Sequence, residues 1–378
     1  MRKEISYSPL NQGDELGLVL SGGGSRAAYQ AGALRALAPY LKKDRNIPSV
    51  IVGSSIGAVN GITLAAAMVS GFDEGVKEIC KLWRERTYRN TFNGSPSRTF
   101  LKAIQITLLR YTSPGPVASP ISIFDPTPLR ERIDSVLKEF RQRAPITGLK
   151  IPHSVAVVAT VEDKRRRPLL FVARKEPLTP QQLVAATFAV SYVTELTAAH
   201  GLASAALPSV LPPVELNLEA GSVRLVDGGI SDNIPVDPAV RLGASRVVTI
   251  DVSGRRWWFD RYGQPHYTRP TWEVASAEET LCFFPRRSFE VVSKKGLGTI
   301  LKEAVGRSRG DFITALGPTW PIFKILKHKM GEELAYEVMS YVALHPQYLV
   351  GLEELGFSET NELLKNGFPL DPNPLGSL

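Results

Sequence analysis

Short apolar runs alternate with stretches of helical spacing over the first two-thirds of the chain, a pattern that predicts parallel βαβ units. Gly17-Leu18-Val19-Leu20 reads as a buried strand closing at Ser21-Gly22-Gly23-Gly24. Ala27, Ala28, Ala31, Leu34 and Leu37 then recur mostly three and four apart, predicting a helix over 25–38 that Pro39 ends. A second strand, 48–52, turns at Gly53-Ser54-Ser55-Ile56-Gly57 into an alanine-rich helix reaching residue 70, and another helix covers 73–86.

Residues 87–123 are basic and broken by Pro, so they read as an insertion over the core with one helix at 98–110. Thr127-Pro128 opens a helix by a Thr cap and a Pro at the first position, with Leu129, Ile133, Val136, Leu137 and Phe140 on one stripe. Strands at 154–160 and 168–173 flank a charged turn and predict a hairpin. The run 183–193 reads as a helix, 223–226 as a short strand before Asp227-Gly228-Gly229, and 246–252 as the last clear core strand. Beyond Gly254 the chain turns basic and aromatic, then helical around 300–305 and 332–344. This places a domain boundary at 254, with 255–378 packing on or capping the core and a frayed tail after Phe368.

Composition narrows the function classes. With 378 residues, 43% hydrophobic, 22% charged and 31 Gly, the chain is globular, and disorder, collagen and coiled coil are poor readings. Two cysteines and five scattered histidines supply neither a disulfide framework nor a metal-ligand pattern, so no metal and no cofactor is expected. The N-terminus lacks the apolar stretch of a secretory signal, and the runs 62–69 and 183–190 fall short of the roughly 20 residues that span a bilayer. A cytoplasmic or membrane-peripheral protein is expected, with specialised secretion left open. Of the net charge of +8, residues 255–329 hold +7, from 14 Lys or Arg against 7 Asp or Glu. Trp257, Trp258, Phe259, Tyr262, Tyr267, Trp272, Phe283 and Phe284 are interleaved with that charge, which favours an anionic membrane surface; nucleic acid lacks a motif.

Candidate chemistry lies in three loops. Gly53 to Gly57 fits G-x-S-x-G between a strand and a helix, a turn that holds Ser55 out near the positive end of the helix. Ser21 to Arg26 is a glycine loop in the same setting. It has no Gly-Lys-Ser/Thr for a Walker loop and no third Gly for a dinucleotide fingerprint, which leaves an oxyanion hole or a tight turn. Asp227 ends a strand beside two glycines, where it can serve Ser55 as a base or make an ordinary turn. His266, His328 and His345 follow no strand end, so a Ser55–Asp227 pair is preferred to a triad.

The GGGSR at 22–26, GSSIG at 53–57 and DGG at 227–229, with similarity at DPTPL (125–129), ASAALP (203–208) and LPP (211–213), resemble the patatin-like phospholipase family over residues 14–254. The resemblance implies a three-layer α/β/α sandwich with a mainly parallel sheet, followed here by a helical C-terminal extension. It also implies a lipid acyl hydrolase with Ser55 and Asp227 as its dyad and Gly22, Gly23 and Gly24 as its oxyanion loop. An acyltransferase using the same acyl-serine and a silent lipid-binding protein are the alternatives. Arg26 either contacts a substrate phosphate or makes a structural contact. Ala27 departs from the family's usual Gly, with little effect expected.

Overall fold

A computed structural model describes residues 13–43, 45–94, 101–102, 105, 122–141, 152–163, 165–219, 221–255, 282–306 and 309–371. Among them nine strands make one sheet: β1 Leu16–Leu20, β2 Val50–Ser54, β3 Ser154–Val161, β4 Pro168–Arg174, β5 Ala189–Tyr192, β6 Val214–Leu218, β7 Gly221–Val226, β8 Arg246–Asp251 and β9 Arg287–Val292. The order is β5-β4-β3-β2-β1-β8-β9, and the β6–β7 hairpin is attached at the end of β3. From β3 through β2, β1 and β8 to β9 every pairing is parallel. β4 returns antiparallel from β3 with Ser154 opposite Arg174, the hairpin expected from the spacing.

The central strands are buried and largely apolar because both faces are covered. Leu18, Leu20, Ile51, Val155 and Val157 face one hydrophobic cluster, whereas their neighbours Val19, Val50, Val52, Ala156 and Val158 face the other. The first cluster is covered by α1 Ala28–Leu41, α2 Ile56–Ala67, α3 Phe72–Arg84 and α4 Thr127–Arg141. After the short α5 Pro180–Leu183, α6 Ala198–Ser204 joins the same layer, and α7 Val236–Arg241 covers the opposite face. The C-terminal region adds α8 Leu297–Val305, α9 Arg309–Leu316, α10 Trp320–Met330, α11 Glu332–Met339 and α12 Pro346–Leu363 to the first layer. The result is the three-layer α/β/α arrangement with a mainly parallel sheet and a helical C-terminal region. No helix of the described residues is long and apolar enough to cross a membrane.

Several elements differ from the sequence pattern. Residues 183–193 are not a helix: Ala185 has φ 46°, which breaks α5, and the β-branched and aromatic residues after it form β5 beside β4. α1 begins after a 3₁₀ turn at Gly24–Ala27 and runs through Pro39 to Leu41, since a proline in the last turn forfeits only one bond there. The start of α4 is closed by the Asp125 carboxylate, which accepts from the Thr127 amide at 3.0 Å and hydroxyl at 2.7 Å. β6, α5, α6, α7, β9 and the helices α9, α10 and α12 were not individually expected. The helix predicted at 98–110 and the aromatic residues from Trp257 to Trp272 fall outside the described residues, residues 101, 102 and 105 apart.

The region beyond 254 is built into the core. β9 extends the sheet beside β8, and α12 lies directly on α1. Two glycines permit that crossing: a Cβ on Gly32 would stand 1.8 Å from the Glu353 carbonyl oxygen, and one on Gly356 2.2 Å from that of Tyr29. The buried Glu353 carboxylate meets Arg35 and Arg84, each at 2.6 Å, across the same contact. Replacing a helical glycine with alanine at an open site stabilises by up to about 1 kcal/mol. Here Gly32→Ala is expected to destabilise instead, by about 1–3 kcal/mol, because the helices must separate. Denaturant unfolding followed by circular dichroism checks the sign, and a neutral or stabilising result contradicts the packing.

Candidate active site

The chain reaches the site through strand ends. In open parallel sheets the loops after adjacent strands converge at the carboxyl edge, and here β1 and β2 are neighbours with Leu20 opposite Gly53. The turn after β2 is sharp: Ser55 has φ 53° and ψ −132°, a conformation costing a non-glycine residue on the order of 1–3 kcal/mol. Small flanking residues make it possible, since a Cβ on Gly53 would lie 2.4 Å from the Gly57 carbonyl oxygen and one on Gly57 2.4 Å from that of Leu20. The strain is held by hydrogen bonds. The Ser55 amide donates to Ser204 Oγ at 2.8 Å, Ser204 donates onward to the Val158 carbonyl, and the Ala58 amide closes the first turn of α2 on the Ser55 carbonyl. Ser54 points the other way, donating to the Asp232 carbonyl at 2.8 Å.

Asp227 arrives at the same edge because Val226 of β7 pairs with Thr160 near the end of β3. Its backbone is fixed at both ends: its carbonyl accepts from the Thr160 hydroxyl at 2.7 Å, and its amide donates to the Ala206 carbonyl at 3.0 Å. Ser55 Oγ donates to Asp227 Oδ2 at 2.6 Å, and the Gly229 amide donates to Oδ1 at 2.8 Å. Both side chains are buried. Burial pushes the Asp227 carboxyl up to about 6, against the opposing pull of the Ser55 and Gly229 hydrogen bonds. Among the described residues no histidine bonds to either group. His328 is exposed on α10, His345 is buried at the start of α12, and His266 is outside the described residues.

The glycine loop does not offer three open amides. That of Gly22 donates to the Asn233 carbonyl at 3.3 Å, and Asn233 Nδ2 returns a bond of 3.3 Å to the Gly22 carbonyl. Gly22 instead lets the loop press on the serine: its Cβ would stand 2.7 Å from that of Ser55. The amides of Gly23 and Gly24 have no partner among the described residues, and both glycines line the cavity that Ser55 and Asp227 share. Gly24, at φ 58°, comes so close to Tyr341 that a Cβ would lie 2.1 Å from its carbonyl oxygen. The next amide, of Ser25, donates to that oxygen at 2.8 Å.

Arg26 is not among the residues that line this cavity, and of its two readings the contacts it makes are those of the structural one. Its buried guanidinium bonds to Ser340 Oγ at 2.7 Å and the Ser253 carbonyl at 3.2 Å, pairs with the Glu337 carboxylate at 2.7 Å and lies 3.7 Å over the Tyr341 ring. The arginine thereby ties the glycine loop to α11. Ala27 is fully buried, and its carbonyl accepts from Asn60.

The cavity holds about 390 Å³, within the range of small-molecule sites. Ile56, Phe92, Leu129, Leu211, Val342 and Leu344 supply apolar walls, and Asp227 is the only carboxylate among the described residues that line it. Sequence reasoning missed Ser204, Asn233 and the contribution of the C-terminal region, since each acts through a contact distant in sequence. Among the described residues no group of three or more His, Cys, Asp or Glu side chains is placed to hold a metal.

Residues 18–240 match the sequence pattern described as patatin-like phospholipase. No curated protein matches the sequence. Solved structures that align with the chain include VipD from Legionella pneumophila, at 13% identity, covering 97% of this chain and 96% of that one with a TM-score of 0.34. Human GIVD cytosolic phospholipase A2 aligns at 12% identity over 93% of this chain and 59% of that one, TM-score 0.39. The type III effector protein ExoU aligns at 16% identity over 91% and 54%, TM-score 0.32. With the match covering more than half of the chain and all three loops of the site, the chain belongs to the patatin-like phospholipase family, a family of lipid hydrolases.

Proposed function

We propose that the protein hydrolyses carboxylic esters of phospholipids or related acyl lipids through an acyl-serine on Ser55, with Asp227 as base. The observation that carries this reading is the 2.6 Å hydrogen bond from Ser55 Oγ to Asp227 Oδ2 inside an apolar cavity. Asp227 takes the hydroxyl proton as Oγ attacks the ester carbonyl, and the amides of Gly23 and Gly24 receive the oxyanion. The proton passes from Asp227 to the departing alkoxide, leaving the acyl group on Ser55. Water then repeats the sequence: Asp227 accepts its proton, the acid is released, and the proton returns to Ser55. A carboxylate raised to about 6 is a better proton acceptor than an ordinary one and is still ionised at neutral pH. The basic, aromatic stretch within 255–329 is proposed to bring this site to an anionic membrane surface, on its composition.

Ser55→Ala is expected to lower ester hydrolysis by at least roughly a thousandfold with the fold intact. Kinetics on a phospholipid and on a short-chain ester, alongside circular dichroism, test this, and retained activity sinks the proposal. Asp227→Asn is expected to be inactive yet more stable. The native carboxyl keeps its proton up to about pH 6, whereas an unfolded Asp loses it near the ordinary value of 3.8. Between these values the native state binds more protons, so stability falls as pH rises, and the full penalty is present above pH 6. Removing the charge is therefore expected to stabilise by roughly 1–3 kcal/mol at pH 7.5 and by little below pH 4. Denaturant unfolding at both pH values checks the difference.

A further inference from the structure

Four arginines are buried among the described residues, and three are met by carboxylates: Arg26 by Glu337, Arg241 by Asp237 and Arg246 by Asp14. Arg86 is the exception. It lies just beyond α3, 7% exposed, with its guanidinium 4.2 Å over the Trp83 ring, and among the described residues that guanidinium has no hydrogen-bond acceptor or ion-pair partner. Arg86 lines the same cavity as Ser55. The one carboxylate among the described residues lining the cavity, Asp227, is taken up by Ser55 and Gly229.

A buried charge is costly unless it is paired. Burial lowers Arg86 to about 10, which still leaves it protonated at neutral pH. A planar cation held on an aromatic face at the wall of a cavity, with no acceptor among the described residues, is suited to two-point binding of a phosphate. Arg166 adds a second cation at the exposed edge of the cavity, its amide fixed to the Asp163 carboxylate at 2.7 Å. Apolar walls beside these groups accept an acyl chain, and in a glycerophospholipid the ester and the phosphorus are only a few bonds apart.

We propose that Arg86 binds the phosphate of a phospholipid headgroup and thereby selects phospholipids over neutral acyl esters at Ser55. This rests on the hydrolase reading and adds a specificity-determining residue to it. Arg26, the arginine of the glycine loop, is committed elsewhere, so the phosphate contact moves to a residue outside the family's motifs.

The test compares wild type, Arg86→Gln and Arg86→Lys on a phospholipid and on the diacylglycerol with the same chains. Arg86→Gln is expected to lose roughly 10- to 100-fold in kcat/KM on the phospholipid and to stay within about twofold on the diacylglycerol. Arg86→Lys is expected to recover part of the loss. Equal loss on both substrates, or no loss on either, overturns the proposal. A binding arm separates it from the hydrolase reading: Ser55→Ala protein is titrated with a short-chain phospholipid and with inorganic phosphate, following thermal stability. Stabilisation by the phospholipid that disappears on adding Arg86→Gln supports the site even if no ester is hydrolysed. Stabilisation by inorganic phosphate alone, or binding unaffected by Arg86→Gln, overturns it.

Discussion

The hydrogen bond between Ser55 and Asp227 is the contact around which the molecule is arranged, and it is unfavourable to build. It asks a serine to sit at φ 53° and a carboxylate to sit out of water. Neither would persist on a loop free to relax, and the surroundings leave no such freedom. Two parallel strands set the height of the serine turn, two glycines let it close, and Ser204 holds its amide from a helix 149 residues away in sequence. The strand end at Val226, paired to β3 just beyond the end of β2, brings the carboxylate beside the serine. The strain and the raised proton affinity of Asp227 are two consequences of one arrangement, in which a hydroxyl and a carboxylate meet in a dry place.

The C-terminal region, which lies beyond the family's matched residues, completes the site. Its backbone at Tyr341 receives the Ser25 amide and approaches Gly24 too closely for any side chain there, while Arg26 binds the loop to Ser340 and Glu337. The orientation of the Gly23 and Gly24 amides therefore depends on a helix more than 300 residues away in sequence. This also accounts for the phosphate contact proposed at Arg86: the arginine of the glycine loop serves architecture, and the cation in the cavity that has no partner among the described residues is a different one.

How much of this was legible in the sequence follows from what each element depends on. β1 and β2 with their turns were readable because they are short, buried and almost wholly apolar and end in glycine-rich loops. The three loops carrying Gly22 to Arg26, Ser55 and Asp227 were placed for the same reason. The 183–193 run was misread because periodicity cannot separate a short apolar helix from a strand, and only pairing with β4 decides it. β9 is a half-buried edge strand whose burial alternates weakly, so it left little pattern. The roles of Ser204, Asn233 and Arg86 were invisible, and the sequence left the two readings of Arg26 undecided, since each is defined by partners far along the chain.

The most direct test of the central claim is the rate at which a long-chain fluorophosphonate modifies the protein, followed by intact mass as a function of pH. If Asp227 activates Ser55, a single adduct forms on the native chain and none on Ser55→Ala. The rate then rises about tenfold per pH unit below 6 and levels off above it, and Asp227→Asn loses both the rate and the inflection. An adduct that persists in Ser55→Ala, or a rate that climbs without a plateau as it would for an ordinary hydroxyl, contradicts the account.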